Sequence, residues 1–522
     1  MHRIVISDEL EASGVERLRQ AGAEVVELQD RKRLPEVIGG FDALIVRSST
    51  QVTADLLAQG KRLKVVGRAG IGVDNVDVAK ATELGILVVN APTANLLSAT
   101  EHTFALLLAL ARSVPAADAR LKQAVWDRKS FVGQELYGKT LGIVGLGQIG
   151  SRVAARAQAF EMKVIAYDPF LDEQAARRID VELMSLDEML PLVDAITFHT
   201  PLTSETRGLL GAERMAQLKR GALVINCGRG GVVDEAALYA ALESGQVGGA
   251  GLDVFAQEPP QSWELIQHPR VVATPHIGAQ TREAQERIAA QISEMVLAAL
   301  NGSMAIAAVN LPFRPAGGRS EPFLLLAELL GRLASSLHRD RLHGLQVDLW
   351  GIEEDMVAPI TVAAVKGALV PFLGEMVNFV NAEKIASDRG IDVVRVVHPR
   401  HGDYPHLVGV TLRGDGREHE VAGTLSGSNE PRVVDIHGFR LEFRPQGRLL
   451  ILRNEDVPGV VGRFGTILGD GGINIADIHL ARAAGRRDAL AVMRLDQEPG
   501  PEVLARIEAL PEVKETHVFD LG

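Results

Sequence analysis

The chain has a single cysteine, Cys227, in 522 residues. That excludes an intramolecular disulfide and any zinc cluster built on cysteines. Positive charge is the scarcer sign, with 55 Lys+Arg against 67 Asp+Glu. The resulting formal charge of −12 argues against nucleic acid or an anionic membrane as the main partner. An anionic ligand would therefore need a local basic pocket. Long hydrophobic runs are missing too: the longest, residues 104–111, is far below a membrane span. Met1-His2-Arg3-Ile4-Val5 runs straight into a strand pattern with no signal-peptide character, so a cytoplasmic protein is expected. Glycine and apolar residues are plentiful, at 52 glycines and 46% hydrophobic, enough to fill several α/β cores. The length suggests three or four domains.

One segment stands out, Gly145-Leu146-Gly147-Gln148-Ile149-Gly150. Alone, G-x-G-x-x-G is a weak signal, but here it follows an apolar strand pattern over 139–144 and opens a helix-forming run over 151–160. Glycines let the backbone turn tightly and approach a pyrophosphate seated on the positive end of a helix. Asp168 closes the next strand pattern, where a carboxylate accepts hydrogen bonds from a ribose and repels a 2′-phosphate. Pro169 and Phe170 follow it, with no arginine, so the expected cofactor is NAD and not NADP.

Short apolar strands at 3–7, 24–28, 43–47, 64–67 and 86–90 alternate with helical stretches, as do later ones at 195–199, 223–226, 249–253 and 271–274. This predicts an α/β protein with two Rossmann-like, doubly wound parallel-sheet domains: 1–97 with 285–312 for substrate, and 98–284 for the cofactor. Ser98 and Glu101 stand in capping-box spacing at the head of a helix over 98–112. A Pro/Gly/Arg-rich stretch at 312–322 reads as a linker. An α+β unit is expected over 318–445, with helices at 323–337, 360–373 and 377–389 ahead of four strands. The tail, 448–522, reads strand, helix, strand, strand, helix, strand, a ferredoxin-like βαββαβ pattern.

Oxidising a secondary alcohol needs a base for the hydroxyl proton and a cation for the substrate's carboxylate, while a nicotinamide does the electron chemistry. His276, Glu258 and Arg229 each follow a strand of the unit carrying the glycine motif. A histidine is the commonest base, a carboxylate orients its ring, and a guanidinium binds a carboxylate in two-pronged fashion. His199 competes for the base role but stands nearer the expected adenosine half. Taken singly, such residues are more often solvated or structural; their shared placement after strand ends raises them to candidates.

The order G-x-G-x-x-G, Asp, His-Thr-Pro, Asn-Cys-x-Arg-Gly-Gly, Asp-Val-Phe-x-x-Glu-Pro-Pro, Thr-Pro-His-Ile-Gly-Ala resembles the D-2-hydroxyacid dehydrogenase family over residues 1–310. Residues 68–77 resemble the substrate loop of its phosphoglycerate-oxidising long-form branch, the tail resembles an ACT domain, and the third unit resembles the intervening domain. The resemblance implies that Arg229, Glu258 and His276 are catalytic. It implies that Gly145, Gly147, Gln148, Ile149, Gly150, Asp168, Thr200, Cys227, Gly228, Arg229, Asp253, His276, Ile277, Gly278 and Ala279 line NAD, with Gly228 standing where the family often has alanine. A phosphorylated 2-hydroxy acid would meet Arg47, Arg68, Ala69, Gly70 and Ile71, with Arg128 and Lys129 reaching a neighbouring subunit. L-serine, as effector, would meet Asp456, Gly459, Val460, Asn474 and Ile475. A homotetramer is implied, with no metal, nucleic acid or membrane. Two rival readings stay open: a dehydrogenase of an unphosphorylated D-2-hydroxy acid, and an NAD-sensing corepressor.

Overall fold

The computed structural model describes residues 1–303, 308–313, 319–338, 340–482 and 487–521. The centre of the expected linker, 314–318, lies outside the described residues. The chain forms two compact units, one of residues 1–9, 16–90 and 292–522, the other of 10–15 and 91–291.

In the first unit a five-stranded sheet runs in the order Glu24–Glu27, Arg3–Ile6, Ala43–Val46, Val65–Arg68, Leu87–Asn90, every pair parallel. Its centre is apolar on both faces, as a helix-covered parallel sheet requires: all of Ala43–Val46 is buried. Thr53 and Asp77 cap the helices Ala54–Gln59 and Val78–Glu83 with their side-chain oxygens. The Asn310 side chain ties the returning chain to the edge strand, accepting from Val88 N at 2.8 Å and donating to Ile86 O at 2.9 Å.

A six-stranded mixed sheet follows, in the order Asp392–His398, Gly344–Trp350, Leu407–Arg413, Glu418–Leu425, Pro431–Ile436, Phe439–Phe443. Its first two strands were not expected from sequence. Gly344–Trp350 does alternate buried and half-buried residues, but Asp392–His398 is a mostly exposed edge strand with no clean apolar face. The expected helix over 360–373 begins earlier, as Glu354–Leu373, and the one over 377–389 shrinks to Ala382–Asp388. Glu354–Leu373 is long and apolar enough to cross a membrane, yet most of it is buried against neighbouring elements. The tail forms a four-stranded antiparallel sheet, Ile475–Arg482, Asp488–Leu495, Arg448–Glu455, Val513–Asp520, with helices Val460–Asp470 and Pro501–Glu508. This is the ferredoxin-like order. Leu449, Ile451, Leu490 and Val492 of this sheet share one core with Leu330, Val410 and Val433 of the preceding domain. The tail domain is thus fused to its neighbour and not merely tethered.

The second unit holds a seven-stranded parallel sheet in the order Val271–Ala273, Val247–Leu252, Ala222–Asn226, Ala195–Phe198, Thr140–Val144, Lys163–Tyr167, Glu182–Leu183. Strand order reverses at Thr140–Val144, the switch point where open α/β sheets bind ligands. The capping box at Ser98 does not form. The helix starts earlier, as Leu96–Ala111, and Ser98 is buried inside it with its hydroxyl 2.7 Å from that of Thr281.

Candidate active site

Successive strands of the seven-stranded sheet deliver the candidate residues along its carboxyl edge. Asp168 follows Lys163–Tyr167, the glycine loop follows Thr140–Val144, and Thr200 follows Ala195–Phe198. Arg229 follows Ala222–Asn226, Glu258 follows Val247–Leu252, and His276 follows Val271–Ala273. Strands lie ~4.8 Å apart, so this row extends roughly 24 Å, with the carboxylate and glycines at one end and the histidine at the other.

The three motif glycines do different work. Gly145 has φ +89°, and a Cβ on it would stand 2.8 Å from His199 O. A Cβ on Gly150 would lie 2.1 Å from Gly145 O, so only glycine lets the helix Gln148–Ala159 close onto the loop. Gly147 faces open space and caps that helix without a side-chain bond, leaving its first N–H groups for an anion. Asp168 ties the second strand to this loop, accepting from Leu146 N at 2.9 Å and Phe170 N at 2.9 Å. Gln148 is drawn to Arg152 at 2.9 Å, and Ile149 packs into the core below. The Thr200 hydroxyl is buried and has no partner among the described residues. A free cradle, a bare helix end, and an orphaned hydroxyl at the switch point fit a dinucleotide.

Burial pushes the Cys227 thiol up to about 12, so it is an uncharged wall and not a nucleophile. Burial likewise holds His199 down to about 4, which removes the competitor for the base role. Asn226, buried at the end of its strand, accepts from Gly228 N at 3.1 Å and donates to Arg229 O at 2.9 Å. Gly228 presses so close to the neighbouring strand that a Cβ would sit 2.7 Å from Phe198 O. The glycine therefore permits a tight approach of this loop to the neighbouring strand. The Arg229 guanidinium folds back to Gly228 O at 2.9 Å.

His276 Nδ1 lies 2.6 Å from Glu258 Oε2. A carboxylate only accepts, so Nδ1 carries a proton, and in the neutral ring Nε2 keeps a lone pair. Nε2 has no partner among the described residues. The other oxygen of Glu258 accepts from Phe255 N at 3.1 Å, which fixes the carboxylate in place. His276 has φ +53°, an uncommon value for a non-glycine residue that the surroundings must impose. Asp253 imposes it. Its carboxylate, 1% exposed, accepts from Thr274 Oγ1 at 2.6 Å, Ile277 N at 2.8 Å and Gly278 N at 2.8 Å. Burial alone would raise the Asp253 pKa, but hydrogen bonds from His102, Thr274 and Ile277 outweigh it and hold the group below its ordinary value. Ala279 O accepts from Gln285 and ends the turn. Asp253, Ile277, Gly278 and Ala279 thus form the scaffold of the turn that carries His276.

In the first unit, Asp8 and Asn75 shape the loops carrying Arg47 and Arg68. Asp8 Oδ2 accepts from Arg47 N at 2.7 Å, and Asn75 Nδ2 donates to Arg47 O and Thr50 O, both at 2.6 Å. The Arg47 guanidinium has no ion-pair or hydrogen-bond partner among the described residues. Arg68 lies over Gly70, whose φ of +148° and lack of a side chain leave it room; Ala69 is buried, and Ile71 O accepts from Asn90. Arg128 and Lys129 are exposed after the helix Val114–Lys122 and make no bond to the residues around His276.

Three family models match: the NAD binding domain of D-isomer specific 2-hydroxyacid dehydrogenases over 104–278, the D-3-phosphoglycerate dehydrogenase intervening domain over 319–437, and the ACT domain over 448–512. A D-3-phosphoglycerate dehydrogenase of Bacillus subtilis is 40% identical, with all of both chains covered. One from Mycobacterium bovis is 41% identical over 99% of each. The chain belongs to the D-3-phosphoglycerate dehydrogenase family. Its dehydrogenase part also resembles a D-lactate dehydrogenase of Aquifex aeolicus solved with NAD and lactic acid, at 31% identity and TM-score 0.53, covering 58% of this chain and 96% of that one. It is an NAD-dependent oxidoreductase of the phosphoglycerate dehydrogenase family.

In the ACT domain of this phosphoglycerate dehydrogenase family member the expected effector residues fall at opposite ends of the sheet. Asp456, Gly459 and Val460 follow the end of Arg448–Glu455, whereas Asn474 and Ile475 stand at the start of Ile475–Arg482, level with Leu495. Gly459, at φ +87°, opens the helix Val460–Asp470 with no side-chain cap, and Val460 is buried. Asp456 pairs with Arg482 at 2.9 Å, and Asn474, just ahead of Ile475, donates to Asp496 at 2.6 Å. Asn454 is 2% exposed and its Oδ1 has no partner among the described residues. Sequence reasoning did not single out Asn75, Asn226, Thr274 or His102. Asn226 and Thr274 adjoin motif residues and could have been found there; His102 carries no local signal.

Proposed function

We propose that this chain oxidises 3-phospho-D-glycerate to 3-phosphooxypyruvate with NAD, the committed step of L-serine synthesis. The observation that carries the reading is the oriented His276–Glu258 pair, 2.6 Å apart, at the end of the cofactor-binding sheet. NAD, when bound, supplies the acceptor for the hydride leaving C2. His276 Nε2 takes the hydroxyl proton, Glu258 keeps the ring in the tautomer that can do so, and Arg229 holds the substrate carboxylate. Arg47 and Arg68 supply cations for the phosphate. L-serine is the proposed effector, held where two ACT domains meet, by Asp456 and the amides around Gly459 of one domain and Asn474 of the other. We also propose a homotetramer, in which such tails would pair about two-fold axes, acting in the cytoplasm.

The test is NADH formation from a panel of D-2-hydroxy acids, with and without L-serine. The 3-phospho acid should be preferred over glycerate and lactate, and serine should slow the reaction. Faster turnover of an unphosphorylated acid would overturn the substrate assignment, and indifference to serine would overturn the effector.

A further inference from the structure

His102 stands in the helix Leu96–Ala111, remote in sequence from every residue given a role above. Its Nε2 is 2.9 Å from Thr274 Oγ1 and 3.2 Å from Asp253 Oδ1, and its side chain is 16% exposed. Proton counting fixes who donates. Thr274 has one hydroxyl proton, committed to the Asp253 carboxylate at 2.6 Å, since a carboxylate can only accept. The 2.9 Å contact must then be an N–H of His102 donating to a lone pair of Thr274. His102 therefore carries a proton on Nε2, which reaches Thr274 Oγ1 and, at 3.2 Å, the Asp253 carboxylate itself, so the ring holds Asp253 both directly and through Thr274. From Asp253 the network continues to the backbone N–H groups of Ile277 and Gly278, which flank His276.

We infer that His102 is a positioning residue for the dehydrogenase reaction, fixing through Thr274 and Asp253 the left-handed turn that aims His276. It touches neither substrate nor the reacting atoms. The helix Leu96–Ala111 is a rigid support, whereas the 274–278 turn has no regular structure of its own, so the helix supplies the fixed point. Without the His102 donor, Thr274 is free to rotate its hydroxyl off Asp253. The carboxylate would then lose the bond that balances its two backbone donors, and His276 could relax out of φ +53°. A base displaced by an ångström loses up to about 100-fold in rate. The inference rests on His276 being the base, so its test has to separate the two claims.

The experiment compares His102→Leu, His102→Gln and His276→Ala in the full chain, following kcat, KM, the pH profile of kcat/KM, NAD affinity and Tm. His102→Leu should lower kcat about 10- to 100-fold and move the pH profile, with NAD affinity within about 3-fold of wild type. His102→Gln keeps an N–H donor on a side chain of similar reach, and should recover most of kcat and the original profile. Unchanged kcat and pH profile in His102→Leu, beside an inactive His276→Ala, would overturn the His102 role and leave the base standing. Equal losses in the Leu and Gln variants, tracking Tm with no change in profile, would reduce His102 to a packing residue. Near-normal turnover in His276→Ala would instead refute the base.

Discussion

Two regions bury ionisable side chains in opposite ways. Under the catalytic turn, Asp253 is 1% exposed and meets donors from Thr274, Ile277, Gly278 and His102. At the joint between the intervening and ACT domains, four histidines gather. His338 and His419 meet edge-on with ring centres 5.3 Å apart, His419 and His437 lie 5.0 Å apart, and the charge of His517 is felt at His419. Here satisfaction fails: both ring nitrogens of His338 are buried without a hydrogen-bond partner among the described residues. Beside them is a cavity of about 380 Å³ with Arg417 and His419 on one side and Lys514 and His517 on the other. A saturated network has a single low-energy arrangement and so fixes geometry, as an oriented base needs. An unsaturated cluster stays responsive to protons, and this one lies where the two domains share a core.

The contrast predicts opposite outcomes for removing the buried polar group. Asp253→Ala strands four protein donors and releases the His276 turn. It should cost about 3 kcal/mol or more in urea unfolding and lower kcat at least about 100-fold. A mild loss on both measures would show that the network is not what holds the turn.

Acid should act on the joint and spare the turn. Burial, followed by the charges of His437, His338, His517 and Arg417, holds His419 down to about 4, against an ordinary 6.5. The folded state therefore binds fewer protons than the unfolded one between these values. His419 costs nothing above about pH 6.5, and stability is lost as pH falls from there toward 4, by up to about 3 kcal/mol. Unfolding midpoints of wild type and His419→Phe across pH 4.5–8 check this: the variant's curve should be flatter, and parallel curves would refute the linkage.

The smallest effect is expected at His338. Replacing it with leucine removes two unsatisfied nitrogens, so the change should be neutral or stabilising by ~1 kcal/mol. A loss beyond about 2 kcal/mol would show that the ring has bonds this structure does not contain.

Much of the dehydrogenase part is legible in sequence because strands buried on both faces are short apolar runs, and because Gly145 and Gly150 each meet a steric demand no other residue satisfies. The candidate trio is legible for a related reason: Arg229, Glu258 and His276 each follow a strand, and parallel order brings strand ends together. What was hidden depends on contacts between distant residues. His102 meets Thr274 across 172 positions, and Asn75 meets Arg47 across 28. Ser98 looked like a cap because spacing alone cannot reveal a hydroxyl facing Thr281 in the interior. The strand Asp392–His398 escaped because an edge strand need not keep one face apolar.

The central claim is that His276, oriented by Glu258, takes the substrate's hydroxyl proton. Turnover of 3-phospho-D-glycerate by His276→Ala tests it most directly, with NAD affinity measured on the same preparation. A fall in kcat of about 10²- to 10⁴-fold with NAD affinity essentially kept is the predicted result. Turnover near the wild-type rate would contradict it.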